Sequence, residues 1–458
     1  MFGRNRGSFS SFQRLCLAMA FINDSLHLDQ RLFPPNLCLV PQKKGDAKAE
    51  ICIMDSESSE ENYPDGGLQA WTVIFGSACV NFSTVGYMTA WGAFQEYYEN
   101  GPLKGTSPSA IAWIGSTQYS LVFFPALLVG RLFDLGHFRY PLMAASVLLV
   151  LCTVLIAECT EYWHFLLCQG LGLGITSGII AGPAASVVAH WFKKRRGTAL
   201  GLYALGSPLG GTVFPILFRN LHVAVGFKWT LRIIALILTF TLVMANLTLK
   251  RRLRPKSDPG GLLNPEQFKS PAYSLYTAAG LVCFLGLYTV STFINASARS
   301  QGIEGELTFY LVSIANAGSV VGRVSVGVVA DRFGALTVMI PTTFLAGVLT
   351  ILWPFVRGPS PLVVVALLYG ASSGAFAGLL LAPMMEFGDT SDVGRRTGMF
   401  ATILAFGALA GPPISGAINR STGGYTAVGI YAGSAVIVAV VLLVLSRYCI
   451  LGGWRGKA

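Results

Sequence analysis

The sequence predicts an all-α membrane protein in which twelve transmembrane helices form two pseudo-symmetric six-helix bundles. Three observations carry that expectation. Hydrophobic residues make up 53% of the chain and charged residues only 12%, about half the ~25% charge of a soluble domain. From Gln69 onward, apolar stretches recur, each roughly 20 residues long and able to cross a ~30 Å hydrocarbon core as a helix. Lys and Arg are dense in alternate connections and sparse in the others, the bias expected of cytoplasmic loops. This profile excludes a soluble enzyme, a disordered scaffold, a collagen-like fibre and a disulfide-stapled secreted module. The formal charge of +11 over 458 residues reads as basic cytoplasmic loops rather than a nucleic-acid surface. Nine Cys show no CxxC and no metal spacing, so they read as small buried hydrophobes.

The elements follow in order. Residues 1–64 are rich in charge, Ser and Pro and end in the acidic run Asp55 to Glu61; they read as a disordered cytoplasmic tail. The apolar patch Leu15 to Ile22 is too short for a span and lacks a small-residue cleavage site. The expected spans are 69–95, 109–130, 140–157, 162–189, 197–218 and 229–249, then 273–296, 307–330, 336–355, 361–385, 397–418 and 424–447. A charged linker, 250–272, holds Pro255, Pro259, Pro265 and Pro271 and separates an amino-terminal bundle (65–249) from a carboxyl-terminal one (273–448). Residues 449–458 form a second cytoplasmic tail. With both termini inside, the inner connections carry 18 Lys and Arg and the outer ones 6, a threefold bias that fits twelve crossings.

The halves echo each other. Gly130, Arg131, Asp134 and Gly136 close the second span, with Arg139 just beyond, and Gly327, Asp331, Arg332 and Gly334 close the eighth. Both segments read Gly-x-x-x-Asp followed by Gly. Asp134 is expected to pair with Arg131 and Arg139 as a conformational latch, and Asp331 and Arg332 to serve its counterpart. The plain alternative is a polar loop that satisfies backbone groups. Glycines on the fourth, fifth and eleventh spans, with Pro208, Pro412 and Pro413, fit close helix packing and hinges.

Ionisable groups inside a bilayer are costly and mark function. Arg232 lies near the outer boundary and snorkels. Arg323 lies deep in the eighth span among Val320, Val321, Val324 and Val326, where its planar fork suits a carboxylate or phosphate; the competing reading is a structural Arg bound to helix carbonyls. Asn81, Tyr87, Gln118, Tyr119, Tyr288, Asn316 and Ser319 are the polar candidates for a cavity wall, suited to a solute with flat apolar surface and hydrogen-bonding groups. Every Asp, Glu and His falls in a tail, a loop or a span end, so no midplane acid stands ready as a proton carrier. No Walker loop, metal cluster or nucleophile–base set is present, so no cofactor, no metal and no enzymatic activity are expected.

At these residues the sequence resembles the monocarboxylate-porter branch of the major facilitator superfamily, its fungal members above all, over roughly Asp65 to Tyr448. Asp65-Gly66-Gly67 with Trp71 is similar to the motif entering the first span. Trp191 to Gly201, including Arg195 and Arg196, is similar to the signature entering the fifth, and Asn316 to Arg323 with Ala330 to Gly334 looks fungal. Asp65 is expected to cap the first helix and the 193–196 cluster to anchor the fifth. The resemblance implies a twelve-helix facilitator and an anion-handling role for Arg323. It departs at two places. Ser319 stands where proton-coupled members carry an Asp one turn before the Arg, and Gln69 to Tyr98 lacks the Lys those members carry. Both departures count against lactate-type proton symport and leave proton coupling open. The expected function is secondary active transport of a small organic solute, carboxylate-bearing or amphipathic. Import of a monocarboxylate or vitamin and export of a secondary metabolite both fit, and a non-transporting solute sensor is the alternative of another class. The expected partners are that solute and the lipid bilayer, without nucleic acid, as a monomer or an unknown oligomer. The plasma membrane is the default location, a vacuolar membrane the alternative.

Overall fold

The computed structural model describes residues 63–253, 261–303, 306–388, 392–453 and 456. Residues 1–62 of the expected amino-terminal tail, 254–260 of the linker and 454, 455, 457 and 458 of the carboxyl-terminal tail lie outside the described residues. The helices are α1 (Leu68–Asn100), α2 (Ala110–Asp134), α3 (Arg139–Ile156) and α4 (Tyr162–Trp191), then the continuous Arg196–Thr248, followed by α7 (Pro271–Ser300). After these come α8 (Glu306–Phe333), α9 (Ala335–Phe355), α10 (Pro359–Glu386), α11 (Val393–Thr422) and α12 (Thr426–Leu451).

Eleven helices among the described residues are long and apolar enough to cross a membrane, and one of them, Arg196–Thr248, spans 53 residues. At 1.5 Å per residue such a rod would reach ~80 Å, more than twice the hydrocarbon core. It is instead two crossings joined at Gly226, whose φ of 80° and ψ of 165° are not helical. Trp191 Nε1 donates to Lys250 O at 2.8 Å, so the chain leaves and re-enters the same face. We call these crossings α5 (196–225) and α6 (227–248), which brings the total to the expected twelve.

Several helices are interrupted along their length. In α1 a π-helical stretch, Phe82–Gly86, precedes a turn at Thr89 and Ala90. α2 unwinds over 122–125 ahead of Pro125, which cannot donate a backbone hydrogen bond. Where α1 meets α5, a Cβ on Gly86 would lie 2.8 Å from the Gly210 Cα, so only backbone fits there. Outward faces carry exposed Leu, Val and Phe, such as Leu236, Phe240 and Val321, as lipid contact requires. On the face opposite the basic connections, Glu158 bonds Lys228 and lies 3.5 Å from Arg232, and the Lys228 bond holds its carboxyl below the usual carboxylate range. Arg232 also stacks on Trp229 at 5.0 Å, in keeping with a boundary residue.

Candidate functional site

The two bundles meet at the basic face through a pair of equivalent contacts. The Asp134 carboxylate, 1% exposed at the end of α2, accepts the backbone N–H groups of Gly394 at 3.0 Å and Arg395 at 2.7 Å. These are first-turn donors of α11, which have no partner within their own helix. The Asp331 carboxylate, at the end of α8, does the same for α5: it accepts from Gly197 N at 2.6 Å, Thr198 N at 3.0 Å and the Thr198 hydroxyl. Each motif Asp therefore caps the fifth helix of the opposite half. The expected latch between Asp134 and the guanidinium groups of Arg131 or Arg139 is corrected: among the described residues no ion pair joins them, and Arg139 and Arg332 are exposed. Backbone donors win because a helix N-terminus offers convergent N–H groups without ordering a long side chain. Gly136 and Gly334 turn the chain after each Asp with φ of 88° and 93°, a conformation costing any other residue about 1–2 kcal/mol. A Cβ on Gly130 would lie 2.0 Å from Gly394 O, so the seam closes backbone to backbone.

The signature segments support this gate differently from expectation. Asp65 does not cap α1, whose N-cap is Gly67 without a side-chain bond. Its Oδ1 accepts the N–H groups of Lys193, Lys194 and Arg195 at 2.7, 2.7 and 3.2 Å, and its φ of 47° is the one positive value outside glycine among the described residues. The carboxylate goes to the tighter concentration of free N–H groups, the turn entering α5. Gly66 and Gly67 lead into α1, and Trp71 packs on Phe192 at 5.0 Å. Arg196 donates to Phe192 O at 3.3 Å, and Gly201 lets α5 touch the Arg323 carbonyl, 2.5 Å from where its Cβ would stand.

Two further cations escaped sequence reasoning. Arg395 and Arg396, counted with a connection, lie in the first turn of α11 and are 7% and 0% exposed. Arg395 pairs with Asp392 at 2.8 Å, and Arg396 donates to Met384 O at 2.7 Å and Gly388 O at 3.3 Å. The repeated pattern Arg195-Arg196-Gly197-Thr198 and Arg395-Arg396-Thr397-Gly398 was the available signal.

Between the bundles lies a chamber of about 1040 Å³. Its lining runs from Gly130, Gly394 and Gly398 at the gate to Glu99, Asn100, Arg299 and Arg420 at the opposite helix ends, so it opens away from the basic face. Arg323, Ser319, Asn316, Asn81, Tyr119 and Tyr288 all line it. Tyr87 does not: it is 3% exposed and packs against Phe94 and Phe214 at 6.1 and 5.1 Å. Gln118 is likewise buried in the bundle. The half-buried Arg323 is held by two bonds, Nε to Ser319 Oγ at 3.2 Å and Nη1 to Ala204 O on α5. That carbonyl is free because its i+4 partner is Pro208, which has no N–H. Among the described residues no Asp or Glu lies within ion-pair distance of Arg323.

Much of the chamber wall is aromatic, and most of that was missed. Tyr119 faces Tyr288 at 6.0 Å and Phe123 faces Phe284 at 5.5 Å across the seam of α2 and α7, with Tyr203 and Phe376 also lining. In a helix of apolar letters, an aromatic facing a cavity reads the same as one facing lipid.

Residues 73–386 and 276–448 match the family model described as Major Facilitator Superfamily. MFS-type transporter 1 of Ophiocordyceps sp. (strain BCC 1869) is 36% identical over 85% of this chain and 88% of its own length. An aspyridones efflux protein of Emericella nidulans is 34% identical over 86% of this chain and 81% of its own. The structure of the human organic anion transporter MFSD10 covers 82% of this chain and all of that one with a TM-score of 0.66 at 15% identity, a likeness of fold.

Proposed function

The chain belongs to the Major Facilitator Superfamily, and from that premise we propose that it exports a flat, acid-bearing secondary metabolite by alternating access. We place it in the monocarboxylate-porter-like branch, with residues 65–249 and 273–448 as the two moving bundles. The observation that carries the reading is the Arg323 guanidinium on the chamber wall, with no carboxylate beside it among the described residues. A cation in a low-dielectric chamber favours an anionic guest, and the aromatic wall of Tyr119, Phe123, Phe284 and Tyr288 suits a conjugated ring. Export rather than uptake is supported by relatives such as the aspyridones efflux protein. The positive-inside bias puts the basic face and both termini in the cytoplasm, so this conformation is outward-open, in the plasma membrane by default. The Ser319–Arg323 contact offers no titratable acid, and the reading assigns no proton relay to it.

The test is untargeted metabolite profiling of cells and medium with and without the gene, repeated with Arg323→Ala. Deletion should retain an acidic aromatic compound inside the cells. Wild type should restore its release, and Arg323→Ala should reach the membrane yet restore none. Arg323→Lys should also transport poorly, because a point charge does not replace the fork. Near-normal release by Arg323→Ala would remove the site, and loss of a compound from deletion cells would reverse the direction.

A further inference from the structure

Arg251 follows α6 on the basic face, where the sequence counted it only as one more loop cation. In the structure it crosses to the end of α2. Its Nη1 donates to the carbonyls of Phe133 and Asp134, the latter at 3.1 Å, and its guanidinium lies 5.1 Å over the Phe133 ring. The segment that presents it is pinned independently: Trp191 Nε1 donates to Lys250 O at 2.8 Å and Leu253 N to His190 Nδ1 at 3.4 Å. Arg251 Nε also donates to Leu253 O at 3.0 Å. Burial holds its pKa below the ordinary guanidinium value while the Asp134 carboxylate pulls the other way, so the cation and the gate carboxylate feel each other.

The electrostatics of the α2 end explain why such a cation is needed. The last carbonyls of a helix carry partial negative charge, and Asp134 adds a full charge among them while 1% exposed. A buried carboxylate at the wrong end of its own helix is unstable unless something positive answers it. The N-terminus of α11 answers on one side, but only while the bundles touch. Arg251 answers on the other and stays with α2, because it follows α6 directly and its segment is tied to Trp191 and His190 of the same bundle.

We propose that Arg251 is a positioning residue of the gate: by binding the terminal carbonyls of α2 it holds the Asp134 carboxylate in the pose that α11 accepts, and so sets how often the basic face opens. The proposal concerns the resting gate and does not depend on what is transported. Without Arg251, Asp134 leaves its buried pose for water, the contact to Gly394 and Arg395 fails, and the seam opens.

The reporter is Ser186, 1% exposed on α4, with its hydroxyl 3.4 Å from that of Thr397 on α11 and therefore sealed while the seam is closed. In the full chain carrying Ser186→Cys, reconstituted without substrate, the rate of modification of Cys at 186 by a water-soluble maleimide is read by mass spectrometry. Arg251→Gln should raise that rate about tenfold, the scale of one charged hydrogen-bonded contact, and Arg251→Lys should fall between it and wild type. In an Asp134→Asn background, which has already loosened the gate, Arg251→Gln should add little, since two groups of one contact are not additive. A rate unchanged by Arg251→Gln in protein that elutes as a folded species would overturn the proposal. So would an increment of full size in the Asp134→Asn background. Should Arg251→Gln fail to fold, Arg251→Lys, alone and in the Asp134→Asn background, carries the decision: a rate unchanged alone, or an equal increment in both backgrounds, overturns the proposal.

Discussion

At the scale of single residues, what the sequence conceals is the partner rather than the actor. Asp134 and Asp331 stand out by their repeated spacing, yet they bind main-chain N–H groups, which no letter encodes. Tyr87 and Phe123 fail in opposite senses. The polar letter of Tyr87 drew it to the cavity when it packs in the bundle, and the apolar letter of Phe123 hid a wall residue. Arg323 was legible as a wall residue because a deep cation in a run of Val needs water or an acceptor, and it has both the chamber and the Ala204 carbonyl. Ser319 offers the sharpest residue-level test of its charge. Its Oγ accepts from Arg323 Nε at 3.2 Å, so Ser319→Asp would place a carboxylate against the guanidinium and neutralise the deep chamber. Efflux of an anionic compound from cells carrying the variant should fall about tenfold or more, the scale of one charge-assisted contact, whereas Ser319→Ala should stay within a few-fold of wild type. Equal efflux by the Asp variant would mean that the guest is not recognised as an anion.

At the scale of elements, Pro208 was legible as a break in its helix but not in what it releases, whereas α11 runs on through Pro412 and Pro413. Pro208 leaves the Ala204 carbonyl without its i+4 donor, and Arg323 of the opposite bundle takes that acceptor. The same break exposes Tyr203 O to Asn81 Nδ2 at 3.3 Å. Pro208→Ala would return an N–H to the helix and set it in competition with the guanidinium. The helix should become no less stable, since interior Pro is disfavoured by about 3 kcal/mol. Transport should fall about fivefold, one net hydrogen bond of about 1 kcal/mol. Thermal unfolding and efflux measured on the same preparation check both halves; full efflux with a straightened α5 would show that the break serves packing alone. The twelve crossings themselves were readable from hydropathy and charge. What they did not show is that the expected connection 219–228 is itself helical up to the break at Gly226.

At the scale of the whole molecule, the sequence specifies two halves but not which way they lean, because alternating conformers of one chain differ by only a few kcal/mol and share almost every internal contact. The structure is closed at the basic face by two carboxylate caps and a glycine seam, and open opposite. What selects this state is the closeness of backbone at Gly130 and Gly394. A methyl group on Gly130 would stand 2.0 Å from Gly394 O, a distance no relaxation of side chains can relieve, so α2 and α11 must separate. If the bundles rock as rigid bodies, separation at the gate must narrow the mouth, where Glu96 of α1 and Arg299 of α7 lie 4.0 Å apart on opposite bundles. That pair is more than half exposed and worth little in itself, so replacing both residues by Cys leaves the equilibrium nearly untouched and supplies a gauge. Disulfide formation between positions 96 and 299 should accelerate about tenfold in Gly130→Ala, a shift of about 1.4 kcal/mol between the two states. An unchanged rate, with modification of a Cys at 186 nonetheless increased, would mean that the gate frays locally without moving the bundles, and rigid-body rocking would have to be abandoned for this chain.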